Sequence, residues 1–114
     1  QNDLSGTIAK YDIIQNAKLY RDHIAIAVVD HTVGRVTAAQ AADELLNIVG
    51  ISTSFVLFPD GEQIIISGRS MGDTNVQVIL EQLGGGGGQV AGKTLEQVAV
   101  ELTQAIDRYL EEDS

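Results

Sequence analysis

A chain of 114 residues with 44% hydrophobic content can bury one core and falls in the size range of one domain. Sixteen acidic against seven basic residues give a formal net charge of -9, which repels long polyphosphates and excludes duplex nucleic acid as a partner. A small nucleotide is not excluded, since a few local donors decide its binding, whereas the lack of cysteine removes disulfides, thiolate nucleophiles and cysteine-type zinc sites.

The opening run from Gln1 to Thr7 is polar and lacks the basic-then-apolar pattern of a signal peptide, so a fragment or processed chain is expected. No apolar run approaches the roughly 20 residues that span a bilayer. Residues Ile8 to Tyr20 place Tyr11, Ile14, Ala17 and Lys18 at helical spacing and predict an entry helix. Ile24 to Val29 is a short apolar run that suits a central strand buried on both faces.

Three helices are expected to open with a Thr followed three residues later by Gln: Thr37 with Gln40, Thr74 with Gln77, and Thr94 with Gln97. In such a box the hydroxyl accepts from a free N–H of the first turn while the Gln reaches back to the cap. The first helix carries Ala41, Ala42, Leu45, Leu46 and Val49 on one face and stops at Gly50; the second stops at Gly84. The third presents Leu95, Val98, Ala99, Leu102, Ile106, Tyr109 and Leu110 ahead of the acidic residues Glu111, Glu112 and Asp113, read as a solvated tail that frays. Between the first two helices, Thr53 to Phe58 and Gln63 to Ser67 read as a hairpin turned at Pro59-Asp60-Gly61. The sum is an α/β domain with a compact sheet, a hairpin and flanking helices.

Gly84 to Gly88 is an unbroken glycine run, costly in folding entropy, and bare backbone there lets N–H groups converge on an anion. A flexible spacer is the bland alternative, although spacers usually mix Ser with Gly. Gly87 through Thr94 also satisfies the G-x-x-x-x-G-K-[ST] phosphate loop, with Lys93 on the outer phosphates and Thr94 on magnesium. The context argues against it. Such a loop follows a strand, and here a helix precedes it; the roughly 20 residues that follow form one helix and leave no strand for an acidic magnesium partner.

The stretch from Ile66 to Ile79, with Arg69-Ser70 at a strand end, then Leu83 and the glycine run, resembles the DHH-associated C-terminal lobe of DHH-family phosphodiesterases. Asn16 to Asp22, Ile24 to Ala27, Gln40 to Asp43 and Ser54 to Val56 are similar to stretches of the GdpP-type cyclic-di-AMP phosphodiesterases, so the likeness covers most of the chain in order. It implies an entry helix or linker over 1–22 and a substrate-binding domain over 23–114. It further implies a DHH lobe of the same chain holding two manganese ions, a homodimer, and a cytoplasmic domain of a membrane-anchored bacterial protein. The activity implied is hydrolysis of a cyclic dinucleotide, cyclic-di-AMP, to the linear form by the full-length protein, with no turnover by this lobe alone. Two alternatives stay open: a non-catalytic nucleotide sensor and a short-oligonucleotide phosphodiesterase.

By the same resemblance Arg69 and Ser70 grip substrate phosphate, and Gly85, Gly86, Gly87 and Gly88 lay backbone N–H groups against the nucleotide; the bland alternative for Arg69 is a surface ion-pair residue. The sequence departs from the family where a His usually follows the glycines. Gln89 stands there, the last strand is expected to be absent or reduced to Gln89 to Lys93, and Lys93 supplies the charge of the absent imidazole. Asn75 reads either as an early-helix residue or as a substrate contact. His23 and His31 flank the strand Ile24 to Val29 about 26 Å apart in extended chain, too far to share an ion, and read as solvent-facing.

Overall fold

The hairpin strands carry apolar side chains on both faces of their pleat, and this dictates a layer of helices on each side. In the computed structural model, which describes residues 3–84 and 86–112, β3 (Thr53–Asp60) and β4 (Gln63–Ser70) pair in unbroken antiparallel register. Phe55 and Leu57 face one core with Ile64 and Ile66, while Val56 and Phe58 face the other with Ile65. Phe55 and Phe58 are wholly buried, each contributing about 1.5–3 kcal/mol.

The first core is closed by α3 (Val76–Glu81) and α4 (Leu95–Glu112) through Ile79, Leu80, Val98, Leu102 and Ile106. The second is closed by α1 (Leu4–Gln15) and α2 (Arg35–Leu45) through Ile13, Ala38, Ala41, Ala42 and Leu45. With β1 (Ala17–Tyr20), β2 (Ile24–Val28) and β5 (Gln89–Ala91), the sheet has five strands in the order β1-β2-β3-β4-β5. Only β2 and β3 run parallel, and α2 is the crossover that a parallel pair requires. The α/β architecture expected from sequence is the one observed, and β2 is buried on both faces, with Ile24 and Ile26 in one core and Ala25 and Ala27 in the other.

Several boundaries differ for identifiable reasons. The entry helix ends at Gln15, and residues 17–20 form an edge strand on β2 instead of its last turns. Ladder hydrogen bonds outweigh the helical spacing of Tyr11 and Ile14, a case of tertiary context overriding local pattern. Arg21 and Asp22, both at positive φ (52° and 67°), turn β1 into β2, so the 22/23 boundary expected from sequence falls in a hairpin turn of the sheet itself.

Helix α2 starts at Arg35, because the Ala38 N–H reaches the carbonyl of Gly34, and this leaves Thr37 inside the first turn with no capping role. It ends at Leu45, short of Gly50. In α3 the cap is Asn75 rather than Thr74. The third box forms as expected: the Thr94 Oγ1 accepts from the Gln97 N–H (3.1 Å) and Gln97 Oε1 from the Thr94 N–H (2.8 Å). Pro59 and Asp60 belong to β3, and the turn is Gly61-Glu62. The reduced last strand is present as β5, and α4 continues through Glu112 in place of a frayed end from Glu111; Asp113 lies outside the described residues.

Candidate functional site

The end of β4 is shaped by a close approach at Gly68. A Cβ there would stand 3.1 Å from the Phe55 ring and 3.3 Å from Val76 Cβ, so strand and α3 meet tightly and the chain leaves the sheet just beyond. The Met71 N–H donates to the Ser52 carbonyl (3.0 Å), and the loop 71–75 then turns into α3. Two side chains hold that loop. The Tyr109 hydroxyl of α4 accepts from the Asn75 N–H (2.9 Å) and donates to the Asp73 carbonyl (3.4 Å), while Asn75 Oδ1 accepts from the Val78 N–H (3.3 Å).

A hollow of about 430 Å³ results, lined by residues 68–70 and 72–76. It brings together Arg69, Ser70 and Asn75 of the residues expected from sequence. The pleat sends the first two to opposite faces of the sheet. Arg69 turns toward α2, where its Nε lies 3.1 Å from Asp43 Oδ1 and its Nη1 donates to the Gly68 carbonyl (2.9 Å). Ser70 is paired in register with Thr53, and the hydroxyls of both are buried without a hydrogen-bond partner among the described residues. Buried polar atoms of this kind call for a ligand or an ordered water.

The glycine run lies elsewhere. Gly86–Gly88 forms a short 3-10 turn that leads into β5, and Gly88 is bare for a packing reason: at φ 79° its Cβ would sit 2.4 Å from the Ile66 carbonyl oxygen. Gly87 faces open space, and Gly85 lies outside the described residues. Gln89 is exposed on β5 opposite Ile65, and Lys93 Nζ meets Glu101 Oε1 of α4 at 2.6 Å. None of the described residues among them lines the hollow beside Arg69. Gly87-to-Thr94 follows a helix and a turn rather than a strand, so the strand that a phosphate loop requires ahead of it is missing.

A second hollow of about 310 Å³ sits between α1, β1 and α2. Its walls are chiefly apolar, with Lys18 and Asp22 as the charged members, so it offers a phosphoryl group far less than the first. His23 and His31 stand at opposite ends of β2; His23 Nδ1 is engaged by the Arg21 carbonyl and His31 Nδ1 by Asp30 at 3.0 Å. That neighbouring imidazole holds the Asp30 carboxyl below its ordinary value. Away from both hollows, Tyr20 donates to Asp107 (2.7 Å) and Arg21 pairs with it (2.9 Å); the Asp107 hydrogen bond raises the phenol of Tyr20 above its ordinary value. Among the described residues no three His, Cys, Asp or Glu side chains stand together to hold an ion, so this donor set does not fit a manganese pair. Nor is any described helix long and apolar enough to cross a membrane.

Sequence reasoning missed Asp43 as a partner of Arg69 and Tyr109 as a tether of the loop. Asp43 closes one of the stretches similar to the family, and Tyr109 is one position of an apolar stripe; neither carries a local mark of its contact across the fold.

A DHHA1 domain family model matches residues 21–112. The chain is 37% identical, over 96% of its length, to a cyclic-di-AMP phosphodiesterase PdeA of Listeria monocytogenes serotype 1/2a (strain 10403S), and 38% identical over 97% to a cyclic-di-AMP phosphodiesterase GdpP of Bacillus subtilis (strain 168). It spans 18% and 19% of those proteins. In fold it matches an exopolyphosphatase-related protein from Bacteroides fragilis with a TM-score of 0.80 at 22% identity, over 96% of this chain and 36% of that one.

Proposed function

Because the chain belongs to the DHHA1 domain family, we propose that it is the substrate-binding lobe of a phosphodiesterase that opens a cyclic dinucleotide, cyclic-di-AMP, to its linear form. The observation that carries this reading is the hollow at the end of β4, which Arg69 and Ser70 line together with the loop 72–76. Arginine suits a phosphodiester because its planar fork can donate to two non-bridging oxygens at once and stays charged at any working pH. Around that group the net charge of -9 works against an anion, so local donors must supply the attraction.

The role of this lobe is to bind and orient. Holding the phosphodiester in one pose converts an encounter into a near-unimolecular step, and that contribution needs no ionisable catalyst here. The glycine run and Lys93 belong to the proposal as a second contact, on the nucleotide beyond the phosphate held by Arg69. Its complement in this proposal is a DHH lobe of the same protein, with the manganese pair held by that lobe.

The test is Arg69→Ala in the full-length protein with cyclic-di-AMP as substrate. Turnover should fall about 100-fold or more in kcat/KM, since charge-assisted hydrogen bonds contribute about 1.5–3 kcal/mol each. The thermal midpoint should hold, because the side chain is half-exposed. Unchanged kcat/KM would remove Arg69, and this reading of the hollow, from the site.

A further inference from the structure

A long flexible side chain grips an anion well only when its head is already in place, because fixing it costs on the order of 2 kcal/mol of rotamer entropy. Arg69 is too exposed, at 43%, for burial to fix its guanidinium. Two contacts do so. The bond from Nη1 to the Gly68 carbonyl comes from its own strand neighbour, and the ion pair from Nε to Asp43 comes from α2.

The second contact is rigidly based. Ser54 is the residue that pairs with Arg69 across the β3–β4 ladder, and its buried hydroxyl donates to the Ala42 carbonyl at 2.6 Å. That bond ties α2 to the sheet one residue before Asp43. A short path of strand pairing, one buried hydrogen bond and one peptide unit therefore sets where the carboxylate stands relative to the guanidinium. Asp43 is not among the residues that line the hollow. An exposed pair of this kind adds less than about 1 kcal/mol to folding. Its consequence is orientation.

From this geometry we infer that Asp43 is the positioning residue for Arg69, a role that rests on the phosphate contact proposed for that arginine. With Nη1 spending one N–H on the Gly68 carbonyl and Nε turned to Asp43, the other guanidinium N–H groups have no partner among the described residues and are left for a ligand.

The experiment compares Asp43→Ala, Asp43→Glu, Arg69→Ala and the Asp43→Ala/Arg69→Ala pair in the full-length protein, reading kcat/KM on cyclic-di-AMP and the thermal midpoint. Asp43→Ala should lower kcat/KM about tenfold, within the range of coupling between contacting residues, with the midpoint unchanged. Asp43→Glu should recover most of the loss. In the Arg69→Ala background, Asp43→Ala should add nothing. If Arg69→Ala is crippled while Asp43→Ala is fully active, or if the two losses add, the positioning role is overturned and the phosphate contact stands. If Arg69→Ala itself loses nothing, both are overturned together.

Discussion

The segments on either side of α3 are held in place by different means. Residues 71–75, which enter the helix, are fixed by side chains: Tyr109 reaches from α4 to the backbone at Asp73 and Asn75, and Asn75 caps α3. Residues 86–92, which leave it, are fixed by backbone, with positive φ at Gly87, Gly88 and Gly92 and with Gly88 pressed on the β4 main chain. A side-chain tether can be cut one bond at a time without disturbing the fold. A backbone fit as close as that of Gly88 tolerates no added atom. The arginine hollow lies beside the first kind, so its shape can be tuned independently of stability, and Gly88 cannot be altered without confronting packing first.

The largest effect should come from Gly88→Ala. The added Cβ meets a carbonyl oxygen at 2.4 Å and the residue sits at φ 79°, so strain and overpacking act together. A loss of about 3 kcal/mol or more is expected in urea unfolding, against about 1 kcal/mol for Gly87→Ala, which has the same sign of φ but open space. Equal costs would mean that the close approach to Ile66 does not explain the bare backbone, and a ligand would have to.

Thr94→Ala comes next, at about 1 kcal/mol, since it removes a formed cap. Thr37→Ala is the matched control, with the same Thr-x-x-Gln pattern and no cap bond, and it should change stability by only a few tenths of a kcal/mol. A cost at Thr37 equal to that at Thr94 would show that the pattern acts through helix propensity rather than through the cap.

That pair also marks how far the sequence could be read. The hairpin, the doubly buried β2 and the apolar stripe of α4 follow from period and composition, because each is imposed by which residues must leave water, whereas the shortened β5 was implied by the family resemblance. Three identical capping patterns could not be ranked locally. Thr37 lost to a helix start two residues earlier, anchored on the Gly34 carbonyl, and Thr74 lost to Asn75 beside it, whose Oδ1 takes the Val78 N–H. The edge strand β1 was hidden for a related reason: Ala17 to Tyr20 has no strong alternation, and only the presence of β2 alongside makes it a strand. In the candidate site, Arg69, Ser70 and Asn75 were legible as neighbours in sequence. What holds them was not, since Asp43 and Tyr109 arrive from other helices and Gly88 is explained by a carbonyl on another strand.

The finest probe is Tyr109→Phe. It deletes one oxygen, and with it the bonds to Asn75 N–H and the Asp73 carbonyl, while the ring keeps its place against the core shared by α3 and α4. Asn75 is exposed, so water replaces the lost partner and the global cost should be at most about 0.5–1.5 kcal/mol. The local effect should be larger than the global one. Hydrogen exchange at the Asn75 amide should accelerate while that of Leu102, deep in the core, follows only the small change in overall stability. If the hollow takes a phosphodiester, KM for cyclic-di-AMP in the full-length protein should rise with little change in kcat, because a looser wall must be ordered on binding. Unaltered exchange at Asn75 would mean that the Ser52 bond to Met71 and the Asn75 cap suffice to hold the loop, and the side-chain tether from α4 would then have no part in shaping the site.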